Sequence, residues 1–202
     1  MRADGRVGPV GRSRRARISD CAPQSGSARS PRPIRGHAGR PRLGVNTRTI
    51  PSLSRIAALL VASVGGIGYI PLAPGTFGSA AGLALWALIP RTTLAQLTTI
   101  AGLFAIGSWS GGVAERHFGR ADPGQVVIDE VLGMLITLFL NPVAWPGAVA
   151  GFVLFRLFDV VKPYPANRLE RLPGGVGVMA DDAMAAIYAN LTLRVALTIK
   201  IW

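Results

Sequence analysis

Apolar residues in this chain occur in long uncharged blocks, and charged residues gather where those blocks begin and end. Read by periodicity and by helix start and stop signals, the pattern predicts helical segments at 54–66, 79–88, 94–114, 122–140, 145–159 and 181–202. Asn141 and Pro142 interrupt the pattern, and such a short connection predicts two antiparallel neighbouring helices. The hydrophobic pattern therefore predicts an all-α protein, folded as a compact helical bundle.

Composition indicates that this bundle is embedded in a membrane. Half of the residues are hydrophobic, 16% are charged, and the mean hydropathy is +0.38. A soluble domain carries about 25% charged residues. Segment 94–114 is long enough to span a bilayer, but several others have only about 10–15 apolar residues, where a full span needs about 20. The shorter helices are expected to be tilted, or the bundle to lie only partly in the membrane.

The basic charge of the chain is confined to its N-terminal segment. Of the net charge of +12, residues 1–50 contribute +10 through 12 arginines and two aspartates. Residues 1–52 are rich in Arg, Ser, Pro and Gly without apolar periodicity, which predicts a disordered leader ahead of a domain at 53–202. It could be an organelle transit peptide or a polybasic arm on anionic lipid, but we favour a dispensable or mis-started leader. No nucleic-acid partner is predicted, because the domain is nearly neutral.

The polar motifs sort to one end of the predicted bundle. If the apolar segments cross the membrane alternately, this end receives Thr76, Arg116, Asp129, Glu130, Asp159, Asp181 and Asp182. Arginine is also concentrated there, and the positive-inside rule makes this end cytoplasmic. We therefore expect a multi-pass membrane protein whose active site faces the cytoplasm.

The polar side chains at this end suit a metal and a phosphate. The set consists of Asp129, Glu130, Asp159, Asp181, Asp182, Arg156 and Lys162. Carboxylates without Cys or His form a hard oxygen site, which suits Mg²⁺ or Mn²⁺. His117 is placed in a loop without a catalytic role. The sequence APGT before segment 79–88 puts Thr76 and Ser79 near a helix N-terminus, where an anion such as phosphate is favoured. Together these features predict phosphoryl-transfer chemistry.

Each motif also has a structural explanation. Arg156 and Asp159 could form an ion pair within one helix, and Asp181–Asp182 could cap the N-terminus of the last helix. The glycines at 65–82 do not form a P-loop, because the G-x-x-x-x-G-K-[ST] pattern is absent. A membrane transporter or ion-binding protein would also carry carboxylates at broken helices, but it predicts internal repeats, and the sequence shows none.

Three long motifs carry a family resemblance. GGIGYIPLAPGTFGSAAG, DPGQVVIDEVLGMLITL and FRLFDVVKPYPANRLERLPGGVGVMADDAMA together resemble the bacterial phosphatidylglycerophosphatase A family over residues 54–190. The resemblance implies a Mg²⁺-dependent, α-helical lipid phosphatase of the inner membrane. Its expected substrate is phosphatidylglycerophosphate, which loses its terminal phosphate to give phosphatidylglycerol, a step toward cardiolipin.

The acidic and basic positions of the family pattern are all present, but the resemblance does not fix their roles. We assign Asp129, Asp159 and Asp182 as metal ligands, and either Glu130 or Asp181 as the base for the attacking water. The expected phosphate-binding groups are Arg156 and Lys162, with Gly75, Thr76 and Ser79 of the APGTFGS motif.

Overall fold

The computed structural model describes residues 52–199. The predicted disorder of the leader falls on residues 1–51 and lies outside the described residues, as do the last three positions of the predicted final segment. Within the described range every regular element is helical, so the predicted all-α class is confirmed. The helices are α1 (Leu53–Ala62), a 3₁₀ turn (Ile67–Tyr69), α2 (Pro74–Leu88), α3 (Thr93–Phe118), α4 (Ile128–Leu138), α5 (Trp145–Val161), α6 (Ala166–Leu169) and α7 (Gly175–Thr198).

Helix α4 is the centre of the bundle. Nine of its 11 residues are buried, and it packs against α2, α3, α5 and α7. Glycines bring the helices close together, since a Cβ at Gly82 would collide with α4 and one at Gly133 would enter the ring of Phe155. The two ends of α4 therefore occupy fixed positions among four neighbouring helices.

The predicted starts of two helices were wrong. Asp122–Pro123 does not begin a helix, because Asp122 has φ +41° and the chain stays irregular up to Ile128. Val127 N–H donates to the carbonyl of Ala62 at the end of α1, which holds this segment as a loop. The carboxylates that follow it consequently lie in the first turn of α4 rather than two turns inside a helix.

The last helix begins six residues earlier than predicted, at Gly175. A Cβ at Gly175 would collide with the carbonyl of Ser108, so the absence of a side chain lets α7 start directly against the backbone of α3. Asp181 and Asp182 are thus in the second turn of α7, and the alternative that they cap its N-terminus is wrong.

Two other helix boundaries also differ from the prediction. Helix α2 starts at Pro74, with the proline at its first position, so Thr76 is in its first turn and Ser79 in its second. Helix α3 continues to Phe118, which places His117 in its last turn and not in the predicted loop.

Asn190 on α7 caps the C-terminal end of α4. Its side-chain amide donates to the carbonyls of Ile136, Thr137 and Phe139 at 3.0, 3.0 and 2.8 Å. The last carbonyls of a helix lack a regular partner within the helix. The Ile136 and Thr137 carbonyls also accept from the Phe139 N–H and the Asn141 side chain, so the Phe139 carbonyl is the one that depends on Asn190 within the described residues.

Replacing Asn190 with Ala is expected to lower the free energy of unfolding by about 1–3 kcal/mol, the cost of leaving the Phe139 carbonyl unpaired and losing the tie between α7 and α4. Asn167→Ala, an exposed asparagine on α6, is the matched control and should change stability little. Thermal unfolding of both variants in detergent measures the difference. Equal midpoints for the two variants would show that the cap contributes nothing.

One helix in the described range, α3, is long and apolar enough to cross a membrane. Its 26 residues extend about 39 Å at 1.5 Å per residue. Large apolar side chains also face outward on two other helices, with Val149, Val153 and Leu157 on α5 and Leu191 and Val195 on α7.

Candidate active site

Three carboxylates meet at one end of the bundle, where α4 and α7 lie side by side. One oxygen each of Asp129, Glu130 and Asp182 lies within 4.8 Å of the others. The side chains are withdrawn from solvent, with Asp129 only 5% and Asp182 only 4% exposed. Two elements far apart in the sequence thus supply one acidic cluster, which we call the carboxylate cluster.

The donor set of this cluster fits a magnesium ion. Buried like charges at this separation repel each other strongly unless a cation or protons neutralise them. Oε2 of Glu130 and, beside the cluster, Oδ1 of Asp181 are buried without a hydrogen-bond partner in the described part of the chain. Oxygen-only ligation by carboxylates is the chemistry that Mg²⁺ prefers.

Asp159 lies beside the cluster and is paired with an arginine. Its Oδ2 accepts from Arg156 Nη1 at 2.5 Å, one turn back on α5. The same Nη1 lies 3.9 Å from Oε1 of Glu130. Arg156 is therefore held between α5 and α4, with its guanidinium next to the carboxylate cluster. The structural ion pair considered from the sequence is present, and it also positions a cation at the site.

Lys162 forms the second cationic contact. It caps α5 in a left-handed conformation with φ +44°, and its Nζ lies 2.6 Å from Oδ2 of Asp181 and 3.8 Å from Glu170. Burial lowers the pKa of Lys162, but the hydrogen bond to Asp181 and the surrounding acids outweigh it and raise the pKa above its usual value. The ammonium is therefore charged at neutral pH and lies at the entrance of the site.

The first turn of α2 is in direct contact with these groups. A Cβ at Gly75 would collide with Oε1 of Glu130 and would lie 3.0 Å from Arg156 Nη1. The amide of Thr76 donates to the carbonyl of Ala73, and the Thr76 side chain is exposed. Ser79 is buried and donates to the Gly75 carbonyl at 2.9 Å. Of the three residues of the APGTFGS motif that were expected to bind phosphate, Gly75 is thus the one packed against the site.

Gly75→Ala is expected to lower the phosphate-releasing activity predicted from the sequence about tenfold or more while the protein remains folded. The new methyl group meets only the flexible ends of Glu130 and Arg156, so these groups must move, and small misplacements of catalytic groups are costly. Gly102→Ala is the control, because a Cβ there meets nothing within 4 Å. Comparing the maximal rates and unfolding temperatures of both variants tests the contact, and unchanged activity in Gly75→Ala would contradict it.

Sequence reasoning foresaw the residues at this end but not every pairing among them. Glu130 was considered as a base, whereas the structure places it in the carboxylate cluster with Asp129 and Asp182. Asp159 was considered as a metal ligand, and the structure pairs it with Arg156. Glu170, which lies near Lys162, was not singled out. The spacing of Glu170 from the other acids gave no signal, because it depends on the short helix α6.

Comparison with known proteins identifies the family. The family model for phosphatidylglycerophosphatase A matches residues 60–197. A protein of Bacteroides thetaiotaomicron named "Putative phosphatidylinositol-3-phosphatase" is 39% identical over 149 residues, covering 68% of this chain and 92% of that protein. Proteins named phosphatidylglycerophosphatase A are 37% identical in Haemophilus influenzae, covering 68% of this chain and 85% of the relative, and in Escherichia coli, covering 60% and 73%. No solved structure matches this chain.

Proposed function

Since this chain belongs to the phosphatidylglycerophosphatase A family, we propose that it hydrolyses the terminal phosphate of phosphatidylglycerophosphate. The products are phosphatidylglycerol and inorganic phosphate, which places the reaction in phospholipid biosynthesis on the way to cardiolipin. The observation that carries the proposal is the carboxylate cluster of Asp129, Glu130 and Asp182, flanked by Arg156 and Lys162. A metal-binding centre beside two cations is suited to a phosphate monoester, whose charge both can neutralise.

In this proposal Asp129, Glu130 and Asp182 would hold Mg²⁺. Glu130 thus replaces Asp159, which was assigned from the sequence as the third ligand. The ion supplies charge neutralisation for the phosphate and lowers the pKa of water. Asp159 serves as the partner that orients Arg156. This assignment follows the carboxylate oxygens that lie within 4.8 Å of one another and the 2.5 Å pair between Asp159 and Arg156.

The remaining side chains bind the phosphate and move a proton. Arg156 presents several N–H donors in a planar fork, which matches phosphate oxygens, and Lys162 adds a point charge. Oδ1 of Asp181, which has no partner within the described residues, accepts a proton from the water that attacks phosphorus. The bond from phosphorus to the glycerol oxygen breaks, and that oxygen takes up the proton from the Asp181 carboxyl to leave as the alcohol. Gly75 has no side chain, which leaves room at the first turn of α2 for the ends of Glu130 and Arg156 and so keeps the guanidinium in place to bind the phosphate.

We also propose that the protein is a multi-pass protein of the bacterial inner membrane, with this site facing the cytoplasm. Helix α3 has the length and hydropathy of a membrane span. The outward apolar side chains of α5 and α7 suit contact with lipid, because no hydrophobic penalty attaches to them there. Basic residues near the site favour the cytoplasmic side.

Phosphate release from defined lipids tests the activity and its head group. Full-length protein in detergent is incubated with phosphatidylglycerophosphate, phosphatidylinositol 3-phosphate or phosphatidic acid, each with Mg²⁺ and with EDTA. We expect metal-dependent release that is fastest for phosphatidylglycerophosphate. Faster release from the inositol lipid would instead assign the activity in the name of the Bacteroides relative. No release from any lipid by folded protein would reject the phosphatase and return the transporter to consideration.

A further inference from the structure

A second polar pocket lies apart from the carboxylate cluster, between α1 and the C-terminal half of α3. It is a cavity of about 380 Å³ whose polar lining comes from Ser52, Ser54, Arg55, Arg116 and His117, with Trp109 on its apolar side. None of the side chains assigned to catalysis lines it. Among the described residues that line it, none is acidic.

The two arginines of this pocket differ from the cations of the active site in their partners. Arg156 and Lys162 each lie within 4.0 Å of a carboxylate. Within residues 52–199, no carboxylate lies that close to Arg55 or Arg116. Their charges are therefore available to an anion from outside the described part of the protein.

Helix α1 presents an apolar face on the outside of the bundle, on the side turned away from α3 and from this pocket. Leu53, Ile56 and Leu60 are spaced by three and four residues, which places them on one side of the helix, and Leu53 is 84% and Leu60 53% exposed. Ala58 and Ala62 are buried on the opposite side, which packs toward α3. The residues of α1 that line the pocket lie on the α3 side of the helix, at its start, so the outward apolar face suits contact with lipid while the pocket lies on the inner side.

We propose that this pocket binds the phosphate of an anionic phospholipid, while the outward apolar face of α1 contacts the acyl chains. Arg55 and Arg116 bind the phosphate oxygens, and the serine hydroxyls donate to the same head group. Trp109 contacts the glycerol and upper acyl region, where aromatic side chains are commonly found. The proposal depends on association with a membrane, but not on the phosphatase activity.

The pocket is at the same end of the bundle as the carboxylate cluster. Gly111 and Gly112, on the turns of α3 beside the pocket, lie against Gly175 at the start of α7, and the acidic residues of α7 follow within two turns. A lipid held here fixes the catalytic end of the bundle at the level of the head groups. The phosphate of a lipid substrate lies at that level, so the second site would align the enzyme with its substrate.

Native mass spectrometry of the full chain in detergent tests the site without any measurement of activity. The probe is dioleoylphosphatidylserine in EDTA, compared with dioleoylphosphatidylcholine, because phosphatidylserine is anionic and is not the proposed product. We expect the protein to retain phosphatidylserine selectively. Arg55→Gln combined with Arg116→Gln should weaken binding about twenty-five-fold, or about fivefold for each arginine near an anionic head group.

The control is Arg168→Gln combined with Arg171→Gln, which removes the same charge from exposed positions and should leave binding unchanged. Arg55→Lys with Arg116→Lys keeps both charges and should retain most of the affinity, which separates charge loss from misfolding. If phosphatidylserine binding were weakened equally in the Arg55/Arg116 variant and in this control, the proposal would be overturned, because the effect would then come from net charge alone. Displacement of the lipid by millimolar inorganic phosphate would also overturn it, by making the pocket a site for free anions.

Discussion

Asp129→Asn is expected to reduce phosphate release about a thousandfold without unfolding the protein. A metal ion contributes several kcal/mol to stabilising phosphoryl transfer, and each 1.36 kcal/mol is a factor of ten in rate. The substitution keeps the shape of the side chain and removes one charge from three crowded carboxylates. In EDTA the variant should therefore unfold at the same temperature as the wild-type protein or at a higher one.

A thermal readout separates metal binding from catalysis. A ligand that binds only the folded state raises the unfolding temperature, so Mg²⁺ should stabilise the wild-type protein and have little effect on Asp129→Asn. Glu115→Gln, which removes an acid from the end of α3 without touching the carboxylate cluster, should preserve both the activity and the Mg²⁺-induced shift. If Asp129→Asn kept the wild-type shift, Asp129 would not be a ligand.

Asp181 and Asp182 provide an internal comparison because they are adjacent on α7 but have different neighbours. Asp182→Asn should raise the Mg²⁺ concentration needed for half-maximal rate, since Asp182 belongs to the carboxylate cluster. Asp181→Asn should mainly lower the maximal rate, by about 10²–10⁴-fold for a lost general base. The opposite pattern would exchange the roles of the two residues.

Gly175→Ala is expected to destabilise the fold by about 1–3 kcal/mol or more, the usual cost of overpacking. Its Cβ would collide with Ser108 O and with the amide nitrogen of Gly112. Both are backbone atoms, so rotating a side chain cannot relieve the collision and α7 must move away from α3. Activity should fall as well, because α7 carries Asp182 into the carboxylate cluster.

Gly102→Ala is the control for this substitution too, since it places the same methyl group on α3 in open space. Alanine is favoured over glycine inside a helix by up to about 1 kcal/mol, so this variant should be as stable as the wild-type protein or more stable. Chemical unfolding of both variants in detergent gives the comparison. A wild-type midpoint for Gly175→Ala would mean that the two helices can separate at no cost.

The sequence was sufficient to predict the helical class and the end of the bundle where charged motifs meet. Long apolar blocks bounded by charged residues determine both, because burying unpartnered charges inside the blocks would be too costly. Helix boundaries were harder to predict from the sequence. Asp122–Pro123 has the local features of a helix start, but the hydrogen bond from Val127 to Ala62 joins segments far apart in sequence and overrides them.

Pairings within the site were only partly predictable from the sequence. The three-residue spacing of Arg156 and Asp159 suggested their ion pair, which is present, but nothing in the sequence showed that Asp129 and Asp182 would meet Glu130. These contacts depend on how closely α2, α4 and α5 approach one another. The close approach is possible because Gly75 has no side chain to collide with Glu130 and Arg156. The APGT motif was predicted as a phosphate-binding turn, and the structure adds its contact with Glu130 and Arg156.

The position of the carboxylates on separate helices links the cation to the folding of the protein. Asp129 and Glu130 belong to α4 and Asp182 to α7, so without a neutralising cation their repulsion would oppose the packing of α7 against α4. Asn190 ties the opposite end of the same two helices together. The helix pair is thus tied together at one end, while at the other end three unneutralised carboxylates would push it apart. Magnesium would then act as a late folding ligand, and backbone amides in the first turns of α7 should exchange with solvent faster in its absence.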